Sequence, residues 1–246
     1  VIVVDKAKGN TSFDEIRKIR KEYTIKKVGH TGTLDPMATG VLTILVGEAT
    51  KLSDYLMNHD KEYVATLSLG EKRDTGDSEG KIIETKKVPD LSEKNVKETL
   101  KSFEGEISQI PPKYSAIKVN GKKLYEYARS GEEIEIKPRK VNIFEINLIE
   151  IKENSITFKV HCSKGTYIRT LCEDIAEKLG TVGYMSSLRR TRVGNFTLDD
   201  VGKIISIEET LKNEPEYKLK DKELSKFMNG VKIITNLKDG LVRIYN

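Results

Sequence analysis

Asp35 lies in a loop rich in Gly and Thr, Gly29-His30-Thr31-Gly32-Thr33-Leu34-Asp35-Pro36, and is the acid whose surroundings most invite chemistry. An Asp before Pro in such a loop is also the composition of a plain turn or cap. The loop lacks the Gly-Lys-Ser/Thr ending of a nucleotide-binding P-loop, and no convincing helix follows it, so phosphate cradling is discounted. His30 and Asp35 could ligate a metal, but His59 and His161 lie far off in sequence, so no metal site is expected. Cys162 and Cys172 form no Cys-x-x-Cys pair and cannot build a disulfide framework, which fits a reducing cytosol.

The net charge of +5 is too small by itself to imply a polyanionic partner. Its distribution is more telling: residues 113 to 140 hold eight Lys or Arg against four Glu, and residues 159 to 192 hold seven against three acids. These windows together carry +8, leaving the remainder at −3, and they contain Tyr114, Tyr125, Tyr127, Tyr167 and Tyr184, half of all the tyrosines. Basic charge interleaved with stacking rings suits a nucleic acid, and equally a solvated surface. The hydrophobic share of 37% contains no run near the roughly 18 apolar residues of a membrane span, so a soluble chain is expected. It begins on Val1 without Met or a secretory pattern, which suggests a few missing residues.

The elements that must position these groups follow from periodicity. Val1 to Val4 reads as a buried strand, and Ser12 with Glu15 as a capping box ahead of a helix to about Tyr23. The apolar run Val41 to Val46 is a buried strand or helix segment. Tyr63, Ala65, Leu67 and Leu69 alternate with polar or smaller partners as a strand does when one face meets the core. Ser92 opens a helix carrying Val96, Leu100 and Phe103, and Asn120-Gly121 is a tight reversal. Val141 to Leu148 alternates with a slip at Phe144-Glu145 that predicts a bulge, and Ile156 to Cys162 gives another strand. Tyr167, Leu171, Ile175 and Leu179 mark a helix ended by Gly180. Ser206 and Glu209 start a short helix, Lys212 to Lys222 reads as a connector, and Met228 to Asn246 as a helix end and two strands. Without regular βαβ alternation, the class is α+β with a largely antiparallel sheet.

The string Val28-Gly-His-Thr-Gly-Thr-Leu-Asp-Pro-Met-Ala-Thr-Gly-Val-Leu42 resembles the active-site signature of the TruB family of tRNA pseudouridine-55 synthases. Lys61-Glu-Tyr63, Pro111-Pro-Lys-Tyr-Ser-Ala-Ile-Lys-Val-Asn-Gly-Lys-Lys123, Cys162-Ser-Lys-Gly-Thr-Tyr-Ile-Arg169 and Leu188-Arg-Arg190 follow in the family's order and approximate spacing. The resemblance spans nearly the entire chain. It implies a pseudouridine synthase fold, with a long, mostly antiparallel mixed sheet flanked by helices. It implies an isomerase that flips the T-loop uridine of tRNA out of its stack and rejoins C1′ to C5, without cofactor or metal.

By that resemblance Asp35 is the nucleophile, and Arg169 is the fixed cation that keeps it ionised and aimed. Tyr63 lies on the uracil face, Leu188 closes the apolar side, Tyr167 contacts the nucleotide, and His30 presses against the displaced stack. Residues 109 to 140 form an insertion that grips the T arm, with Lys113, Lys118, Lys122, Lys123, Arg129 and Arg139 as candidate phosphate contacts. The catalytic part is expected over residues 1–215. Bacterial members usually end in a small RNA-binding domain of PUA type, so residues 216–246, ending soon after Gly240-Leu-Val-Arg-Ile-Tyr245, are expected to be a partial one. A cytoplasmic, stand-alone monomer needing no protein partner is the expectation. An RNA-folding module with secondary isomerase activity, or a guide-RNA-dependent subunit, are the rival readings.

Overall fold

The computed structural model describes residues 1–238 and 240–245; Asp239 and Asn246, on which the expected C-terminal piece in part falls, lie outside the described residues. The chain divides into a large unit, residues 2–203, and a small one made of residues 204–246 with Val1.

The large unit opens with β1 (Ile2–Lys6) and α1 (Ser12–Tyr23). The helix is capped by Thr11, which trades hydrogen bonds with Asp14, and not by the expected Ser12. Ser12 is buried and its hydroxyl serves elsewhere: it donates to the Leu34 carbonyl and accepts from the Leu34 N–H. Next come β2 (Val28–His30), β3 (Thr39–Val46) and the short α2 (Ser53–Met57). β4 (Lys61–Leu69) buries every second side chain, as its alternation requires. A hairpin of β5 (Glu71–Arg73) and β6 (Ile82–Thr85) precedes α3 (Glu93–Lys101), which Ser92 caps. β7 (Gly105–Gln109) leads into the segment holding β8 (Lys118–Val119), β9 (Lys122–Lys123) and α4 (Leu124–Ser130). Asn120 (φ 51°) and Gly121 (φ 82°) make the turn between β8 and β9. Then follow β10 (Arg139–Lys152), whose register slips between Ile143 and Glu145, β11 (Ser155–Cys162), α5 (Ile168–Lys178), β12 (Gly183–Val193) and β13 (Phe196–Thr197).

Nine of these strands form a single sheet, ordered β1-β3-β12-β4-β11-β10-β7, with β2 on β3 and β13 on β12. Its pairings are antiparallel except β3 with β12, which run parallel through Thr39–Arg189 and Gly40–Arg190. The α+β class and the mixed, mainly antiparallel sheet are therefore as expected. Leu42, Ala65, Leu67, Phe158, Val160, Leu171 and Ile175 fill the core between sheet and helices.

In the small unit, α6 (Ile207–Thr210) starts at Ser206, and β14 (Glu216–Lys218) occupies part of the expected connector. α7 (Asp221–Met228) precedes β15 (Arg243–Tyr245), which pairs in parallel with β14. The described part of Met228 to Asn246 thus contributes one strand instead of two; its other partner comes from earlier in the chain. No helix among the described residues is long and apolar enough to cross a membrane.

Candidate active site

The loop between β2 and β3 is held from below. Asp35, Pro36, Met37 and Ala38 form a turn closed by Ala38 N–H on the Asp35 carbonyl (3.0 Å). The fully buried Lys6 donates to the carbonyls of Pro36 (3.2 Å), Asn10 (2.6 Å) and Ala7 (3.1 Å), and Gly9 N–H also donates to Pro36 (2.8 Å). With Ser12 fixing Leu34 from the other side, the backbone on both flanks of Asp35 has tertiary partners.

Arg169 enters from the first turn of α5, 134 positions later in the chain, and its Nε lies 3.1 Å from Asp35 Oδ2. Its other nitrogens donate to the Thr75 carbonyl (3.0 Å) and the Tyr114 carbonyl (2.9 Å), and Asp77, itself buried, stands 3.8 Å away. Every nitrogen of the fork is thus occupied, which fixes the guanidinium plane. Burial pushes the Asp35 carboxyl above its ordinary range; Arg169 and, more weakly, Lys6 pull it down, while Asp77 pushes it up. The cation therefore offsets the desolvation without cancelling it.

The pair lies in a cavity of about 470 Å³ that Tyr63, Tyr167 and Leu188 also line. Tyr63 and Leu188 come from the inward faces of β4 and β12, and Tyr167 stands at the N-terminus of α5. The Tyr167 backbone is clamped by the buried Gln109 amide, whose Oε1 accepts from its N–H (3.0 Å) and whose Nε2 donates to its carbonyl (3.3 Å). His30, on β2 opposite Ile44, is outside this lining. Its Nδ1 is buried without a partner, and burial, then Arg190, lowers its pKa.

Of the six candidate phosphate contacts, Lys113, Lys118, Arg129 and Arg139 are exposed. Lys122 is half-buried and committed to Glu132 (2.7 Å), and Lys123 to the Tyr125 hydroxyl (3.3 Å). Both lie near tyrosine rings, Lys122 over Tyr127 and Lys123 over Tyr125, so their charge is partly used inside the segment. Among the described residues no three His, Cys, Asp or Glu are placed to hold a metal ion.

Sequence reasoning gave no role to Asp77, Lys61, Arg190, Tyr114 or Tyr125, all of which touch the pair or line its cavity. For Lys61 and Arg190 a signal existed: each lies two residues from an expected site residue on a strand, hence on the same face. Asp77 lies in a polar loop with no such marker.

A family model described as the N-terminal domain of TruB family pseudouridylate synthase matches residues 20–168, and one described as the C-terminal domain of tRNA pseudouridylate synthase B matches residues 169–232. Asp35 falls in the first and Arg169 opens the second. Among curated relatives, the tRNA pseudouridine synthase B of Clostridium kluyveri is 44% identical over all of this chain and 91% of its own length. That of Caldanaerobacter subterraneus is 45% identical over all of this chain and 90% of its own. Among solved structures, a Cbf5-Nop10-Gar1 complex holds a chain 29% identical to this one (TM-score 0.70, 94% of this chain, 67% of that one). An H/ACA RNP bound to a substrate RNA containing 2′-deoxyuridine holds another at 26% (TM-score 0.72, 99% and 73%). Likeness of this degree along the whole length, with the acid–guanidinium pair assembled across two matched domains, admits one assignment: the chain belongs to the TruB family of pseudouridylate synthases, which are isomerases.

Proposed function

We propose that this enzyme isomerises the T-loop uridine at position 55 of tRNA, with Asp35 as nucleophile and Arg169 as its aligning cation. The observation that carries the reading is the 3.1 Å contact between them inside a cavity faced by Tyr63, Tyr167 and Leu188. A carboxylate so placed can meet the electron-poor ribose C1′ or add to the uracil ring. The aromatic and aliphatic walls suit a flipped pyrimidine, and His30, outside the lining, suits the place its base vacates. Exposed Lys113, Lys118, Arg129 and Arg139 suit the phosphates of the T arm. Residues 1–215 serve as the catalytic part and residues 216–246 as a partial PUA-like piece, in a cytoplasmic monomer that needs no protein partner and no cofactor. The curated relatives' name supports the tRNA substrate.

The test is pseudouridine mapping on a naked tRNA transcript incubated with purified protein. Wild type should modify position 55 alone, and Asp35→Asn should modify nothing while still binding the transcript. Turnover by Asp35→Asn would refute the nucleophile, and wild-type inactivity on naked transcript would favour the guide-dependent reading.

A further inference from the structure

Two more cations reach the cavity, and among the described residues neither has a carboxylate within ion-pair distance. Lys61 and Tyr63 share the inward face of β4, and Arg190 shares that of β12 with Leu188, directly across from Tyr63 in the strand register. Lys61 is 7% exposed and Arg190 1%, yet both line the cavity that contains Asp35. Lys61 Nζ donates to the carbonyls of Met57 (2.8 Å) and His59. Arg190 donates through Nε to the Val41 carbonyl (2.7 Å) and through a terminal nitrogen to the Gly32 carbonyl (3.1 Å). Among the described residues no carboxylate lies within 4.0 Å of either, whereas Arg169 has Asp35 and Asp77. Carbonyls satisfy the hydrogen bonds of these cations but leave their charge unneutralised, an expensive state for buried groups. Neutral donors would hold the same carbonyls at less cost, so the charge itself calls for a use.

The reaction supplies one. When the N1–C1′ bond breaks, its electron pair stays with the base and spreads over N1, O2 and O4. If instead a nucleophile adds to the ring at C6, the charge appears on C4–O4 as an enolate. On either route the pyrimidine is transiently anionic, and becomes neutral once C5 bonds to C1′, the C5 proton leaves to water and N1 is protonated. No oxidant or reductant is involved. We propose that Lys61 and Arg190 form a cationic floor beside Tyr63 that stabilises this negative charge on the uracil. The proposal rests on the reading of the Asp35 cavity as the pseudouridine-forming centre. Fixed charges aimed at a site where charge develops act with little reorganisation, and more strongly once a bound base displaces water from it. Arg169 is saturated by Asp35, Asp77 and two carbonyls, so it cannot serve both ends of the reaction.

Lys61 gives the handle for a test. Burial, and after it Arg190, lowers its pKa from 10.5 to about 8, with Cys162 and Asp60 acting upward and Lys164 downward. It is charged below that value and neutral above. Single-turnover conversion of a T-arm RNA hairpin is measured from pH 6.5 to 9.0 for wild type, Lys61→Met and Lys61→Arg, with the RNA Kd alongside. The wild-type rate should fall as pH rises through about 8. Lys61→Met should be slower by roughly 10²-fold at pH 7, lose that limb and keep its RNA affinity. Lys61→Arg should restore much of the rate and hold it to pH 9. At pH 6.5, consumption of the target nucleoside is followed in a hairpin carrying 5-fluorouridine, whose base bears negative charge more easily but whose C5 has no proton to release, and the gap between wild type and Lys61→Met should narrow. A wild-type rate flat across the range, a limb that survives in Lys61→Met, or a gap unchanged by fluorine would overturn the floor. If Lys61→Met does not fold, the wild-type profile and Lys61→Arg decide alone. These failures are separate from turnover by Asp35→Asn, which would instead remove the underlying reading.

Discussion

Replacing Gly40 by Ala should damage stability and chemistry together, by an amount that can be worked from the backbone. Gly40 sits at φ +106°, and a Cβ built there falls 2.1 Å from the Arg190 carbonyl oxygen, 2.8 Å from its nitrogen and 2.9 Å from its carbonyl carbon. All three are main-chain atoms, so no rotamer relieves the overlap, and β12 must retreat from β3 by about 1.3 Å to reach ordinary contact. Positive φ costs an L-residue roughly 1–2 kcal/mol. Loss of the short parallel ladder and the Arg190 bonds to Val41 and Gly32 adds roughly 1 kcal/mol per hydrogen bond. A total near 3–5 kcal/mol corresponds to a fall in Tm of roughly 6–20 °C for a chain of this size. Because the shift moves Arg190 and Leu188 within the cavity, turnover should fall by about 10²-fold. Gly9→Ala is the control: it has a similar φ of +90° but open space around the added methyl, so it should show the strain alone. Thermal melts by circular dichroism and single-turnover assays on both variants decide the matter. A Gly40→Ala protein that melts and turns over like Gly9→Ala would show that the strands do not approach as described.

Arg169→Ala should cost several orders of magnitude in single-turnover rate, because Asp35 loses its aligning partner and the buried Asp77 its nearest cation. The pH profile gives the sign. As the proposed nucleophile Asp35 works ionised, so activity should be lost on acidification. Burial already sets that limb above the ordinary Asp value, and removing the largest downward influence should move it higher still; an unmoved limb would detach Arg169 from Asp35. In the segment proposed to grip the T arm, Lys113→Ala should lower the salt slope of RNA binding by about one, whereas Lys122→Ala should lower it by less because Glu132 already holds that ammonium. Equal slopes in titrations from 50 to 200 mM salt, a span of roughly the kind that separates such contacts, would contradict this.

Elements governed by local periodicity were legible in the sequence. β4 repeats every two residues, α5 runs along Leu171 and Ile175 to the turn at Gly180, and the slip at Phe144 is present as the bulge in β10. Features decided by a distant partner were not. Ser12 looked like a cap and is instead bonded to Leu34, leaving the cap to Thr11. β14 looked like connector because its partner, β15, lies 27 positions further on. The pairing of Asp35 with Arg169 came from the family resemblance, since nothing in the residues between them indicates that they meet. Lys61 and Arg190 carried the strand period that puts them beside Tyr63 and Leu188. Their burial, however, depends on neighbouring strands that composition does not reveal.

The parallel contact between β3 and β12 spans two residue pairs, and the proposed reactive centre straddles it. The loop bearing Asp35 hangs from β2 and β3, while Arg169, Tyr63 and Leu188 belong to α5, β4 and β12 on the far side. Opening that narrow seam would part the acid from its counterion while the antiparallel hairpins on either side stay zipped. Gentle heat or dilute denaturant should therefore lower turnover before circular dichroism registers loss of the sheet.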